Sequence, residues 1–150
     1  MAGSFRAGFD GGSRGNPGPA AWGVVVLDET GRPLTGHAGA FGRATNNVAE
    51  YRGLLEALAL AERAGASDVK LFADSELVVK QMRGEYKVRH PDLIPLHAEA
   101  RRRASAFARF AIEHVPRERN KEADRLVNRA LNLGDDAHVE ERFDTPAAAE

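Results

Sequence analysis

Four carboxylates in this chain stand where they could do chemistry. Asp10 closes an apolar run at residues 5–10 that reads as a strand, and Asp74 follows a second such run at residues 69–73. If a crossover makes these two strands parallel neighbours, both carboxylates sit at the carboxyl edge of one sheet, where α/β proteins bind ligands. Glu50 and Asp124 fall near the starts of two helical patterns. At 3.6 residues per turn, Glu50 shares a face with Leu54, Ala57 and Ala61, and Asp124 lies beside Val127 and Leu131. Carboxylates that lean toward a core are costly unless something compensates them. Mg²⁺ is a natural compensator, because it is a hard cation that takes oxygen ligands.

Each carboxylate also has a plain structural reading. Asp10 could cap the turn that opens at Gly11-Gly12. Glu50, three residues after Asn47, could complete a capping box. Asp74 could N-cap a helix starting at Ser75. Asp124 could be a surface residue paired with Asn128. Against these readings, independent caps have no reason to converge on one end of one sheet. Other chemistries find little support. The chain has no cysteine, which excludes disulfides, zinc–thiolate sites and cysteine nucleophiles. No two histidines show His-x-x-x-His spacing. The glycine-rich stretch at residues 11–18 lacks a Gly-Lys-Ser/Thr ending and leads into a strand, so it is no nucleotide-phosphate loop.

The elements that must position these residues follow from hydrophobic period and turn signals. Strands are expected at residues 5–10, 21–27 and 34–41, joined by short turns into an antiparallel β1-β2-β3 meander. A helix at 47–64, a strand at 69–73, helices at 75–82 and 91–106, a strand at 107–115 and a helix at 120–133 complete the order. The expected fold class is α/β. A five-stranded mixed sheet, the meander plus parallel β4 and β5, would carry helices on both faces. One domain is expected over residues 1–133, followed by an acidic C-terminal tail at 134–150.

That tail holds Asp135, Asp136, Glu140, Glu141, Asp144 and Glu150 against the single base Arg142. The overall charge of −1 therefore hides a positive body. Its bases cluster at Lys80, Arg83, Lys87 and Arg89, and again at Arg101, Arg102 and Arg103. Such a patch is what phosphate contacts require, although solvated helix faces look the same. The longest apolar stretch, residues 20–27, is too short to span a bilayer, and the N-terminus has no apolar signal core. A soluble, cytoplasmic monomer is the expectation.

Four segments together resemble the type 1 ribonuclease H family. Asp10-Gly11-Gly12-Ser13-Arg14-Gly15-Asn16-Pro17-Gly18 is similar to its opening signature, and Thr45-Asn46-Asn47-Val48-Ala49-Glu50-Tyr51 to its second motif. Ala73-Asp74-Ser75 resembles the third, and Asn120-Lys121-Glu122-Ala123-Asp124-Arg125-Leu126 the fourth. The likeness covers about residues 5–133, in order, and selects the same four carboxylates. It implies a ribonuclease H-like fold and endonucleolytic hydrolysis of the RNA strand of RNA–DNA hybrids. Asp10, Glu50, Asp74 and Asp124 would ligate two Mg²⁺ ions, with Mn²⁺ able to substitute, and the products would carry 5′-phosphate and 3′-hydroxyl ends. It also implies that Gly11, Gly12, Ser13, Asn16, Asn46 and Asn47 read RNA, and that Arg43 and Thr45 hold a phosphate of the DNA strand.

Two departures from the family pattern stand out. Arg117 occupies the place where many members carry a mobile histidine thought to help product release, so Arg117 or Arg119 would serve as the auxiliary group. The segment after the third motif is short and lacks the basic, tryptophan-bearing helix of many members; Trp22 is the only tryptophan in the chain. Hybrid binding would then be weaker and strongly salt-sensitive. The alternatives are a catalytically inactive hybrid-binding module and another ribonuclease H-like nuclease that acts on DNA.

Overall fold

Each strand of the meander runs longer than its apolar core. In the computed structural model, which describes residues 3–143, β1 (Ser4–Ser13), β2 (Gly18–Leu27) and β3 (Pro33–Ala44) pair antiparallel in succession. Asp10 therefore lies inside β1, opposite Gly23, and not at the strand's end as its sequence suggests. Gly11, Gly12 and Ser13 stay in the ladder against Trp22, Ala21 and Ala20, which confines the turn to residues 14–17. Ladder pairing overrides the weak strand propensity of glycine here.

α1 (Asn46–Arg63) follows, then β4 (Asp68–Ala73), α2 (Glu76–Met82), α3 (Ile94–Ala104), β5 (Arg109–His114), a 3-10 turn (Arg117–Arg119) and α4 (Lys121–Leu133). β4 lies parallel to β1, and β5 lies parallel to β4. α3 is shorter than the helix expected at 91–106, because residues 91–93 form a turn and Ile94 opens the helix.

The sheet has six strands, not five, in the order β5-β4-β1-β2-β3-β6. The sixth, β6 (His138–Arg142), comes from the segment read as an acidic tail and pairs antiparallel with β3. Only Val139 of this strand is buried, which leaves almost no hydrophobic pattern to read. Its acids are engaged instead: Glu141 accepts from Arg125 at 2.7 Å and from Arg129, both on α4. The rest of the tail, residues 144–150, lies outside the described residues.

Period-two alternation splits the core into two layers. Phe5, Ala7 and Phe9 of β1, with Val69 and Leu71 of β4, pack under α1, whose Tyr51, Leu54 and Leu58 are buried. α2 and α3 join this layer through Val78, Val79 and Ala100. On the opposite face, Ala21, Val25, Ala38 and Val139 pack under Leu126, Val127 and Ala130 of α4. Helices thus cover both faces. No helix among the described residues is long and apolar enough to cross a membrane.

The buried Val139 makes β6 part of the folded unit. Val139→Ala is expected to lower the unfolding free energy by roughly 1–2 kcal/mol, read from urea denaturation. A change within error of zero would mean that β6 opens independently of the sheet.

Candidate active site

Carboxylate oxygens of Asp10, Glu50 and Asp74 lie within 4.8 Å of one another. The β1–β4 register explains one pair. Phe9 is the partner of Ala73, so the next residue of each strand, Asp10 and Asp74, emerges at the same edge. Glu50 arrives from α1. A Cβ at Gly11 would run into the carbonyl of Ala49, so only glycine lets the helix settle against β1 one residue before Glu50.

The helix caps release these acids from their plain readings. Thr45 Oγ1 accepts from the Val48 N–H at 3.2 Å, so α1 is capped two residues before Asn47, and Glu50 lies in the second turn. Ser75 Oγ accepts from the Val78 N–H at 3.2 Å, so Asp74 is not the cap of α2. Asp124 accepts from Asn128 through its main-chain carbonyl at 3.1 Å, which leaves its carboxylate out of that bond.

Asp124 is not within the close group of three. It lines the same cavity of about 480 Å³ together with the other three carboxylates, Ser13, Arg14 and Arg117. α4 approaches the sheet here over Gly23, where a Cβ would stand 2.7 Å from the Ala123 carbonyl. The donor set contains oxygen only. Glu50 Oε1 is buried and has no hydrogen-bond partner among the described residues. An orphaned buried carboxylate oxygen is expensive, and a hard divalent cation is the ligand that fits such a set.

The expected substrate-side residues gather beside this cavity. Asn46 Oδ1 accepts from the Ser13 N–H at 2.8 Å, and Asn16 Oδ1 accepts from the Asn46 N–H at 3.0 Å. Gly11 and Gly12 border the carboxylates. Thr45 and Asn47 open instead onto a neighbouring cavity of about 570 Å³, walled by Lys87, Arg89 and His90. Arg43 is exposed near the end of β3. The 3-10 turn divides its two arginines: Arg117 faces the carboxylates, whereas Arg119 lines a separate cavity with Arg6 and Phe72.

Comparison with known proteins identifies the family. A family model described as Reverse transcriptase-like matches residues 8–130. A bifunctional protein of Mycobacterium tuberculosis is 52% identical over 124 residues, covering 82% of this chain and 34% of that protein. The chain thus spans about a third of the length of that relative. The crystal structure of ribonuclease H1 from Halobacterium salinarum superposes with a TM-score of 0.84 at 44% identity, covering 87% of this chain and 99% of that one. A ribonuclease H1 isolated from compost, solved in complex with RNA/DNA hybrid, gives a TM-score of 0.81 at 40% identity over 86% and 97% of the two chains. The chain belongs to the type 1 ribonuclease H family.

Seen as a ribonuclease H, the molecule holds one positioning group that its sequence conceals. Asn120 precedes α4 and looks like its N-cap, yet its side chain makes no cap bond. It is buried, and Nδ2 donates to the Phe9 carbonyl at 2.8 Å and to Asp74 Oδ2 at 3.1 Å. It ties the start of α4 to β1 and to Asp74 at once. The signal available was slight: an asparagine before a helix is read as a cap by default.

Burial and mutual repulsion raise the proton affinity of the ribonuclease H carboxylates. Asp10, 7% exposed, is pushed up from 3.8 to about 7, first by desolvation and then by the charge of Asp74. Glu50 is driven well above its ordinary value by desolvation, then by Asp10 and Asp74. A carboxyl that binds its proton more tightly when folded stabilises the fold at low pH, and that stability is lost as pH rises through the folded value. In EDTA, the melting temperature should therefore fall between about pH 4 and about pH 7. Asp10→Asn should flatten much of that fall, and divalent cations should reverse it in the wild type. A level wild-type profile in EDTA would contradict the crowding of these acids.

Proposed function

We propose that this ribonuclease H hydrolyses the RNA strand of RNA–DNA hybrids by a two-metal mechanism that leaves 5′-phosphate and 3′-hydroxyl ends. The observation that carries the reading is the convergence of Asp10, Glu50 and Asp74 within 4.8 Å, with one buried oxygen of Glu50 unpartnered. Asp10, Glu50, Asp74 and Asp124 are the residues that would hold the divalent ions, Mg²⁺ with Mn²⁺ as a substitute. Bound there, such ions activate water and stabilise the departing oxygen of a phosphodiester. Asn120 keeps Asp74 oriented, and the shared cavity admits the phosphate between Asp124 and the other three acids. Arg117, which lines this cavity, is the proposed auxiliary group for product release, and Arg119 faces away from it.

Recognition of RNA follows from how two asparagines are held. A backbone N–H can only donate, so the amide oxygens of Asn46 and Asn16 must face Ser13 and Asn46 respectively. Their NH₂ groups then point away from those bonds and can donate to a ribose 2′-hydroxyl, the group that distinguishes RNA from DNA. Gly11, Gly12 and Ser13 offer backbone at close range, Asn47 extends the row, and Arg43 and Thr45 would steady a phosphate of the DNA strand. The solved complex of a relative with RNA/DNA hybrid supports this choice of substrate. The proposed setting is a monomer in the cytoplasm, which suits a chain without cysteine.

Four of the seven clustered basic residues are already paired with acids within the fold. Lys80 pairs with Glu76 at 3.2 Å, Arg83 with Glu85 at 3.5 Å, and Arg102 and Arg103 share Glu99. Lys87 and Arg89 line the cavity beside the asparagines and are the proposed phosphate contacts.

A gel assay with labelled hybrid, duplex RNA and duplex DNA, in Mg²⁺ or in EDTA, tests the activity. Only the RNA strand of the hybrid should be cut, only with the cation, and Asp10→Asn should abolish cutting while hybrid binding persists. Cutting of duplex DNA, or activity that survives Asp10→Asn, would overturn the reading. For binding, replacing both Lys87 and Arg89 by alanine should reduce the slope of log affinity against log salt by about 1.5 to 2, measured by fluorescence anisotropy. An unchanged slope would remove these two side chains from the interface.

A further inference from the structure

The separate cavity that takes Arg119 has a construction of its own. It encloses about 330 Å³ on the α4 face of the sheet and is floored by Arg6 of β1, Val25 and Leu27 of β2, and Phe72 of β4. Its far wall is the 3-10 turn and the first turn of α4, residues 118–123. The Arg6 guanidinium lies 5.3 Å from the centre of the Phe72 ring, and its Nε is buried without a hydrogen-bond partner. Neighbouring acids are engaged elsewhere: Glu113 by Lys70 at 2.9 Å, Asp68 by Arg109 at 3.6 Å, and Glu122 by Arg125 at 2.8 Å. Glu118 on the wall is exposed, and Arg119 and Lys121 beside it carry positive charge. Arg6 is half-buried over this apolar floor and has no ion-pair partner among the described residues, and an anion that carries a flat apolar body would supply one.

The wall of this cavity is also the wall of the active site. Asn120 borders the cavity, and its Nδ2 holds Asp74 and the Phe9 carbonyl. On the same stretch of chain, Arg117 and Asp124 face the carboxylate cavity. We propose that the cavity is a second ligand site, taking a small aromatic carboxylate through Arg6 with its ring on Val25, Leu27 and Phe72, and that its occupancy is transmitted to Asp74 through Asn120. Any effect of the ligand on the carboxylate site would be matched by an equal effect in reverse, because coupling of this kind is reciprocal. The proposal does not depend on the substrate assigned to the carboxylates.

Titration of the ¹⁵N-labelled full chain with 2-naphthoate, followed by amide shifts, tests it. Saturable shifts are expected at the Arg6 and Phe72 amides and at the Asn120 side-chain NH₂. The neutral isostere 2-naphthamide should bind about tenfold more weakly or worse, the loss expected for a charge-assisted hydrogen bond. Arg6→Gln should remove binding while the rest of the spectrum stays in place. If that variant does not fold, the comparison of acid with amide on the wild type decides the matter. Absence of saturable shifts, equal affinity for the amide, or binding that survives Arg6→Gln would each overturn the site. Shifts at Arg6 and Phe72 with an unmoved Asn120 side chain would overturn the link to Asp74.

Discussion

The carboxylate edge depends on α1 lying against β1 with no side chain between them at Gly11. Two like charges resist being brought together, and desolvation adds to the cost. That cost is offset by what lies behind the contact. Tyr51, Leu54, Ala57 and Leu58 are all buried on the same helix, against Phe9 and Leu71 of the sheet. Fully burying a side chain of that size contributes on the order of 1.5–3 kcal/mol, so one helix face holds Glu50 where it would not go by itself. The raised proton affinity of Asp10 and Glu50 reflects their burial first and that forced proximity second.

Glycine acts again, on the other face, at Gly23. Gly23 is the ladder partner of Asp10 and a point where the backbone of α4 comes close to the sheet. Two glycines therefore set the distance from Asp10 to the two helices that carry Glu50 and Asp124. Gly11, next to Asp10, faces α1, and Gly23, opposite Asp10, faces α4. The alternation of a strand makes this possible, because neighbouring positions look to opposite faces.

Much of this was legible in the sequence, and for identifiable reasons. The amphipathic run beginning near Val48 and the apolar run before Asp74 carry strong periods, so α1 and β4 were evident, as were the four acids they and their partners present. What escaped notice lacks a local signature. Asp10 looks terminal because Gly11-Gly12 reads as a turn, yet β2 pairs with both glycines. Asn120 reads only as the first residue of the last helix, because its bonds run to Phe9 and Asp74, which are remote in sequence. Arg119 stands two residues from Arg117 but faces another cavity, a divergence set by a single turn of 3-10 helix.

β6 is the instructive case, because its absence from the sequence reading bears on the site itself. Hydropathy gives it one anchor, Val139, and its acids suggest a solvated end. Glu141 has its arginine partners only when α4 is in place: Arg125 and Arg129 project to it from the helix. α4 in turn carries Asp124, whose layer of core is the smaller of the two. Exposed ion pairs contribute little one at a time, but Glu141 is accepting from two arginines over a buried valine, and the three contacts bear on the same helix. The strand therefore acts on Asp124 from the opposite end of the sheet to β4. It covers the open edge of β3 and closes the second layer of core, and it fixes the helix from which the fourth carboxylate faces the other three.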